Sequence, residues 1–78
     1  MSIKVAIVED DSKIRESLKL ILNGSQEYYC IAVYEDAESA LHDLPNQNPD
    51  VVLMDINLPQ MSGIECVNLL KQKYQRYL

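Results

Sequence analysis

Residues Val51 to Gly63 read VVLMDINLPQMSG. Val51 to Asp55 is a short run of apolar, partly β-branched residues that ends in an acid, and its length predicts a strand rather than a helix. Asn57 stands two positions after Asp55, and Pro59 two further on. Ser62-Gly63-Ile64-Glu65 fits the S-x-x-E capping box, in which the serine oxygen takes up an orphan amide of the first turn, so a helix begins near Gly63. The stretch therefore reads as strand, carboxylate at the strand tip, loop, helix.

The same unit recurs upstream. Ile3 to Val8 (IKVAIV) is almost continuously apolar and β-branched, as a strand buried on both faces of a parallel sheet must be. Glu9-Asp10-Asp11-Ser12 follows as a helix start, with Asp or Ser as N-cap. Ile14, Leu18, Ile21 and Leu22 then recur at helical spacing and form one apolar stripe. Asn23-Gly24 ends that helix, with Gly24 expected as a left-handed cap. Tyr29 to Tyr34 (YCIAVY) predicts the second strand. Glu35-Asp36 opens a second helix whose buried face is Ala37, Ala40, Leu41 and Leu44 and whose expected stop is Pro45. Asn46 to Asp50 reads as a polar loop. The alternation βαβαβα implies a parallel sheet joined by right-handed crossovers.

Bulk properties narrow the function. Seventy-eight residues make one domain at most, and a chain of that size buries only roughly 60% of its unfolded surface. An apolar content of 47% with 24% charged residues is that of a globular chain and argues against disorder. The net charge of −5, with the seven basic residues scattered, excludes direct nucleic-acid contact by this segment, because duplex affinity rests on Lys and Arg against phosphates. Apolar runs fall far short of the roughly 20 residues that span a bilayer, and the N-terminus lacks the long apolar region of a secretory signal. Cys30 and Cys66, each inside an apolar segment, read as buried reduced thiols of a cytoplasmic protein. His42 reads as a surface residue, and Lys71 and Lys73 as solvated lysines of the third helix.

In a parallel α/β sheet, ligands bind in the crevice at the carboxyl ends of the strands. The first strand ends in Glu9-Asp10-Asp11 and the third in Asp55. If these strands are neighbours, three or four carboxylates crowd one small site, and their repulsion must be relieved by protonation or by a cation. Oxygen ligands favour a hard cation, and Mg²⁺ is held by one or two carboxylates with waters and phosphate oxygens. A carboxylate is also a nucleophile that forms aspartyl-phosphates. The plainer reading of Glu9-Asp10-Asp11, an acidic helix start that complements the helix dipole, does not account for Asp55, Asn57 and Pro59 as well.

From Ile3 to about Tyr74 the chain resembles the receiver domain of bacterial two-component response regulators, the CheY-like family. The resemblance rests on Glu9-Asp10 after the first strand, Asp55 after the third, and Pro59-Gln60-Met61-Ser62-Gly63, which fits the family's P-x-M-x-G; Arg15 also matches a common family residue. It implies a flavodoxin-like α/β fold cut to βαβαβα, with a three-stranded parallel sheet ordered 2-1-3. Residues 1–78 would be the N-terminal portion of the domain, without its fourth and fifth strands and last two helices. It implies that Asp55 accepts a phosphoryl group from a sensor histidine kinase, with Mg²⁺ held by Glu9, Asp10, Asp55 and the backbone carbonyl of Asn57. It implies a switch rather than an enzyme, with a DNA-binding output domain open to the parent protein.

The family's Ser or Thr after the fourth strand and Lys after the fifth have no counterpart in these residues, so phosphotransfer by the chain is expected to be impaired. Val67, Leu70, Tyr74 and Tyr77 repeat at spacings of three and four, a seam for another helix. With the third strand at the sheet edge, this predicts a homodimer. Two other readings are a self-associating module without phosphotransfer and an aspartyl-nucleophile phosphohydrolase. The latter wants its Asp at the end of the first strand with another acid two residues on, where Asp55 is followed at that distance by Asn57.

Overall fold

The computed structural model describes residues 2–56, 58 and 61–73. The elements run β1 (Ile3–Val8), α1 (Ser12–Asn23), β2 (Tyr28–Tyr34), α2 (Ala37–Gln47), β3 (Val51–Met54) and α3 (Gly63–Lys73). The three strands are parallel and lie in the order β2-β1-β3, as expected. β1 is central, which is why Val5, Ala6, Ile7 and Val8 are all buried. Its pairing with β2 shifts between Val5–Cys30 and Ala6–Ala32, so Ile31 is an extra residue bulged out of the ladder.

Alternate residues of β1 point to opposite faces. Ala6 and Val8 join Val52, Tyr34 and Leu58 under α2 and α3, which contribute Ala37, Ala40, Leu44, Cys66 and Leu70 to one continuous core. On the other face α1 lies against β2 and β1. No residue of α1 is buried. Its apolar stripe is only part-covered: Leu18 and Leu22 are half-buried, whereas Ile14 is 49% and Ile21 69% exposed. Among the described residues β3 is an edge strand, with Val51 and Leu53 exposed. An open groove of about 320 Å³ runs between Leu18 and Leu53 over Ile7, with Glu9 and Asp55 at its end.

Side-chain caps start the helices. Asp11 accepts the amides of Lys13 and Ile14 at 2.9 and 3.2 Å, Asp36 that of Ser39 at 2.7 Å, and the Ser62 hydroxyl that of Glu65 at 3.1 Å. Both thiols are free and buried, and His42 and Lys71 are exposed.

Two helix ends differ from expectation. Gly24 is right-handed (φ −78°, ψ −12°) rather than left-handed. Its amide still reaches Leu20 O at 3.0 Å, and the Asn23 side chain accepts the Cys30 amide at 2.9 Å, so a side chain ties the helix end to β2 and no αL residue is needed. Pro45 does not stop α2, which continues to Gln47. In the last turn a proline removes only one intrahelical bond. Buried Leu44 and the left-handed Asn48 (φ 54°), whose amide donates to Leu44 O at 3.0 Å, hold that turn in place. β2 begins one residue earlier than expected and β3 ends one earlier, at Met54. Of the expected seam on α3, Leu70 belongs to the core and Val67 is half-buried; Tyr74 and Tyr77 lie outside the described residues.

Candidate functional site

The backbone ladder carries three acids to one place. The Glu9 amide donates to Tyr34 O, the last residue of β2, at 3.0 Å, and the Asp55 amide donates to Val8 O, the last of β1, at 3.0 Å. Asp55 thus sits one residue past β3 yet remains in register. At the opposite end of β3, Asp50 fastens the pairing, donating its amide to Lys4 O (2.8 Å) and accepting the Lys4 amide on Oδ2 (2.9 Å).

Glu9, Asp10 and Asp55 each place a carboxylate oxygen within 4.8 Å of the other two. Among the described residues this is the one such group of potential metal ligands. Asp11, the fourth acid of the region, is spent on capping α1. Its amide also donates to Glu9 Oε2 at 3.1 Å, which orients the Glu9 carboxylate. That amide pulls the Glu9 carboxyl down, but desolvation and the adjacent Asp10 and Asp55 carboxyls push harder, so its pKa lies above the ordinary 4.5.

The donor set suits a hard cation. Around a six-coordinate Mg²⁺ neighbouring oxygens lie roughly 3 Å apart and opposite ones roughly 4.2 Å, so three oxygens within 4.8 Å would draw together on a shared ion or reach it in part through water. Asn57, expected to offer its carbonyl, lies outside the described residues, as does Pro59.

Two residues shape the site in ways the sequence did not disclose. Gly63 packs so tightly on the backbone of Asp55 and Ile56 that a Cβ there would stand 2.0 Å from the Asp55 carbonyl oxygen; its amide donates to Ile56 O at 3.1 Å. Arg15 reaches back from α1 to the carbonyl of Glu9 at 2.9 Å. Motif matching flags both positions but supplies no reason for either, because each acts on backbone brought close only by folding.

The family model for the response regulator receiver domain matches residues 5–77. The chain belongs to this family. Receiver domains are signalling domains of two-component systems, and the relatives of this one agree. The transcriptional regulatory protein DegU of Brevibacillus brevis is 40% identical over 72 residues, which are 92% of this chain and 30% of DegU. The response regulator domain of Thermotoga maritima CheB superposes with a TM-score of 0.90 at 30% identity, covering 95% of this chain and 55% of that one. The response regulator TrrA of the same organism, solved in complex with Mg²⁺ and BeF, superposes with a TM-score of 0.87 at 31% identity, covering 99% of this receiver chain and 64% of TrrA. The chain spans a third or less of the length of the curated relatives it matches.

Proposed function

We propose that the chain is a phospho-acceptor: Asp55 takes a phosphoryl group from a sensor histidine kinase, with Mg²⁺ as cofactor. The observation that carries this reading is the carboxylate triad at the ends of adjacent strands, with oxygens within 4.8 Å. A carboxylate oxygen of Asp55 attacks phosphorus, the new P–O bond forms as the P–N bond to the donor histidine breaks, and the departing imidazole takes up a proton. Glu9 and Asp10 would hold the cation together with Asp55 and the Asn57 carbonyl. Mg²⁺ supplies positive charge that offsets the incoming phosphoryl oxygens and the crowded carboxylates. Asp11 and Arg15 hold the loop that presents Glu9 and Asp10, and Gly63 lets the start of α3 close on the Asp55 backbone.

As in receiver domains generally, this is a signalling role rather than that of an enzyme. A cytoplasmic location, where a kinase and Mg²⁺ would meet the protein, belongs to the same reading. No helix among the described residues is long and apolar enough to cross a membrane. A homodimer, and a DNA-binding output domain in the parent protein, belong to the same reading.

The test is incubation with acetyl phosphate and Mg²⁺ followed by intact mass. A single phosphoryl adduct that disappears in Asp55→Asn, with the fold retained by circular dichroism, supports it. Equal uptake by the variant would move the acceptor elsewhere.

A further inference from the structure

α1 carries a cation where helix energetics disfavour one. Its first turn holds no acid, and Arg15 stands one turn from the N-terminus. A guanidinium that turns back there meets the positive end of the helix dipole, which disfavours it. Arg15 is nevertheless half-buried, and its guanidinium turns back toward the β1–α1 loop. Nη1 donates to Glu9 O at 2.9 Å, and Asp10 O lies at 3.5 Å, the outer limit of a bond. These two carbonyls belong to the residues whose side chains stand in the carboxylate triad.

The rest of the loop is fixed around them. The Glu9 amide is held by Tyr34 O, the Glu9 carboxylate by the Asp11 amide, and Asp11 by its capping bonds to α1. The peptide plane joining Glu9 to Asp10 is held by its carbonyl, and the donor to that carbonyl is Arg15. Rotation of this plane swings the directions in which the Glu9 and Asp10 side chains leave the backbone, and so the spacing of their oxygens from Asp55.

We propose that Arg15 is a positioning residue for the cation site, locking the Glu9–Asp10 peptide so that both carboxylates converge with Asp55 on Mg²⁺; the proposal rests on the metal reading above. Arg15 would act through the Glu9 and Asp10 carbonyls that it holds, not as a ligand of the ion. Two effects of removing it have opposite signs, which makes the role measurable. Loss of a positive charge beside three carboxylates tightens binding of a cation. Loss of the carbonyl bond loosens it, and outer partners of metal ligands typically matter by about 10–100-fold in affinity.

The experiment is titration of Mg²⁺ against the 78-residue chain, followed by the amide shifts of Glu9, Asp10 and Asp55, with urea midpoints measured alongside. Arg15→Met keeps the apolar stem and removes the donor; Arg15→Lys keeps charge but not the planar fork. Arg15→Met is expected to weaken Mg²⁺ binding about 10-fold, and Arg15→Lys to lie between it and the parent. Affinity in Arg15→Met equal to or tighter than the parent's overturns the proposal, whatever happens to the urea midpoint. Should Arg15→Met fail to fold, Arg15→Lys decides alone: weaker binding at constant charge supports positioning, and unchanged binding overturns it. A parent chain whose amides ignore millimolar Mg²⁺ overturns the metal reading and this proposal with it, an outcome distinct from a parent that binds and an Arg15→Met that binds as well.

Discussion

Replacing Gly63 by alanine sets a methyl carbon 2.0 Å from the Asp55 carbonyl oxygen and 2.7 Å from both the Asp55 carbonyl carbon and the Ile56 Cα. Ordinary contact begins near 3.4 Å, so something must yield by about 1.4 Å, the difference between 3.4 and 2.0 Å. All three neighbours are backbone, and none can swing aside as a side chain does. Gly63 has no positive φ, so alanine is conformationally acceptable there. At a helix position without this contact the exchange stabilises by roughly 0.5–1 kcal/mol. Overpacking of a filled site costs about 1–3 kcal/mol, occasionally more, and backbone partners place this case at the upper end. The net expectation is a loss of about 2–3 kcal/mol, large against the roughly 4–12 kcal/mol typical for a domain of this size. The Gly63–Ile56 bond breaks as α3 withdraws, and the Asp55 amide moves with it. The assay is urea unfolding, read as a lower midpoint at unchanged slope, together with amide shifts at Asp55 and Ile56. A Gly63→Ala chain as stable as the parent, with those amides undisturbed, would refute the close approach of α3 to the strand end.

Three further outcomes follow from the same geometry. Glu9 has a folded pKa above its ordinary 4.5, so its charge opposes folding above the folded pKa, and the penalty vanishes as pH falls below 4.5; Glu9→Gln should raise the urea midpoint at pH 7 but not near pH 4, and a gain of equal size at both pH values would exclude this origin. Burial pushes the Cys66 thiol up to about 11, so iodoacetamide at pH 8 should leave Cys66 intact in the folded chain and modify it in urea; rapid labelling under native conditions, located by peptide mass, would contradict its burial beneath α2. The exposed β3 edge and the part-covered stripe of α1 predict self-association of the 78-residue chain, and a compact monomer at every concentration in sedimentation equilibrium would refute it.

Much of the fold was legible because its determinants are local. The β-branched run Ile3–Val8, the caps at Asp11, Asp36 and Ser62, and the helical spacing of Ala37, Ala40 and Leu44 depend on residues a few positions apart. Alternation of strand and helix then restricts the sheet to parallel strands, and the acids at the ends of two strands already suggested a shared site. The helix ends were not legible. Whether Gly24 adopts the left-handed state depends on Asn23 finding the Cys30 amide, and whether Pro45 breaks α2 depends on Leu44 being buried by other elements. The site shows the same division. Glu9, Asp10 and Asp55 could be chosen by type and position, but their approach to within 4.8 Å required β1 and β3 to pair in register through Asp55 and Val8. Asp11 and Asp10 are neighbours of one chemical type, and only the fold separates the helix cap from the candidate ligand. The roles of Gly63 and Arg15 arise wholly from tertiary structure, because each is a contact with backbone atoms whose position no local pattern encodes.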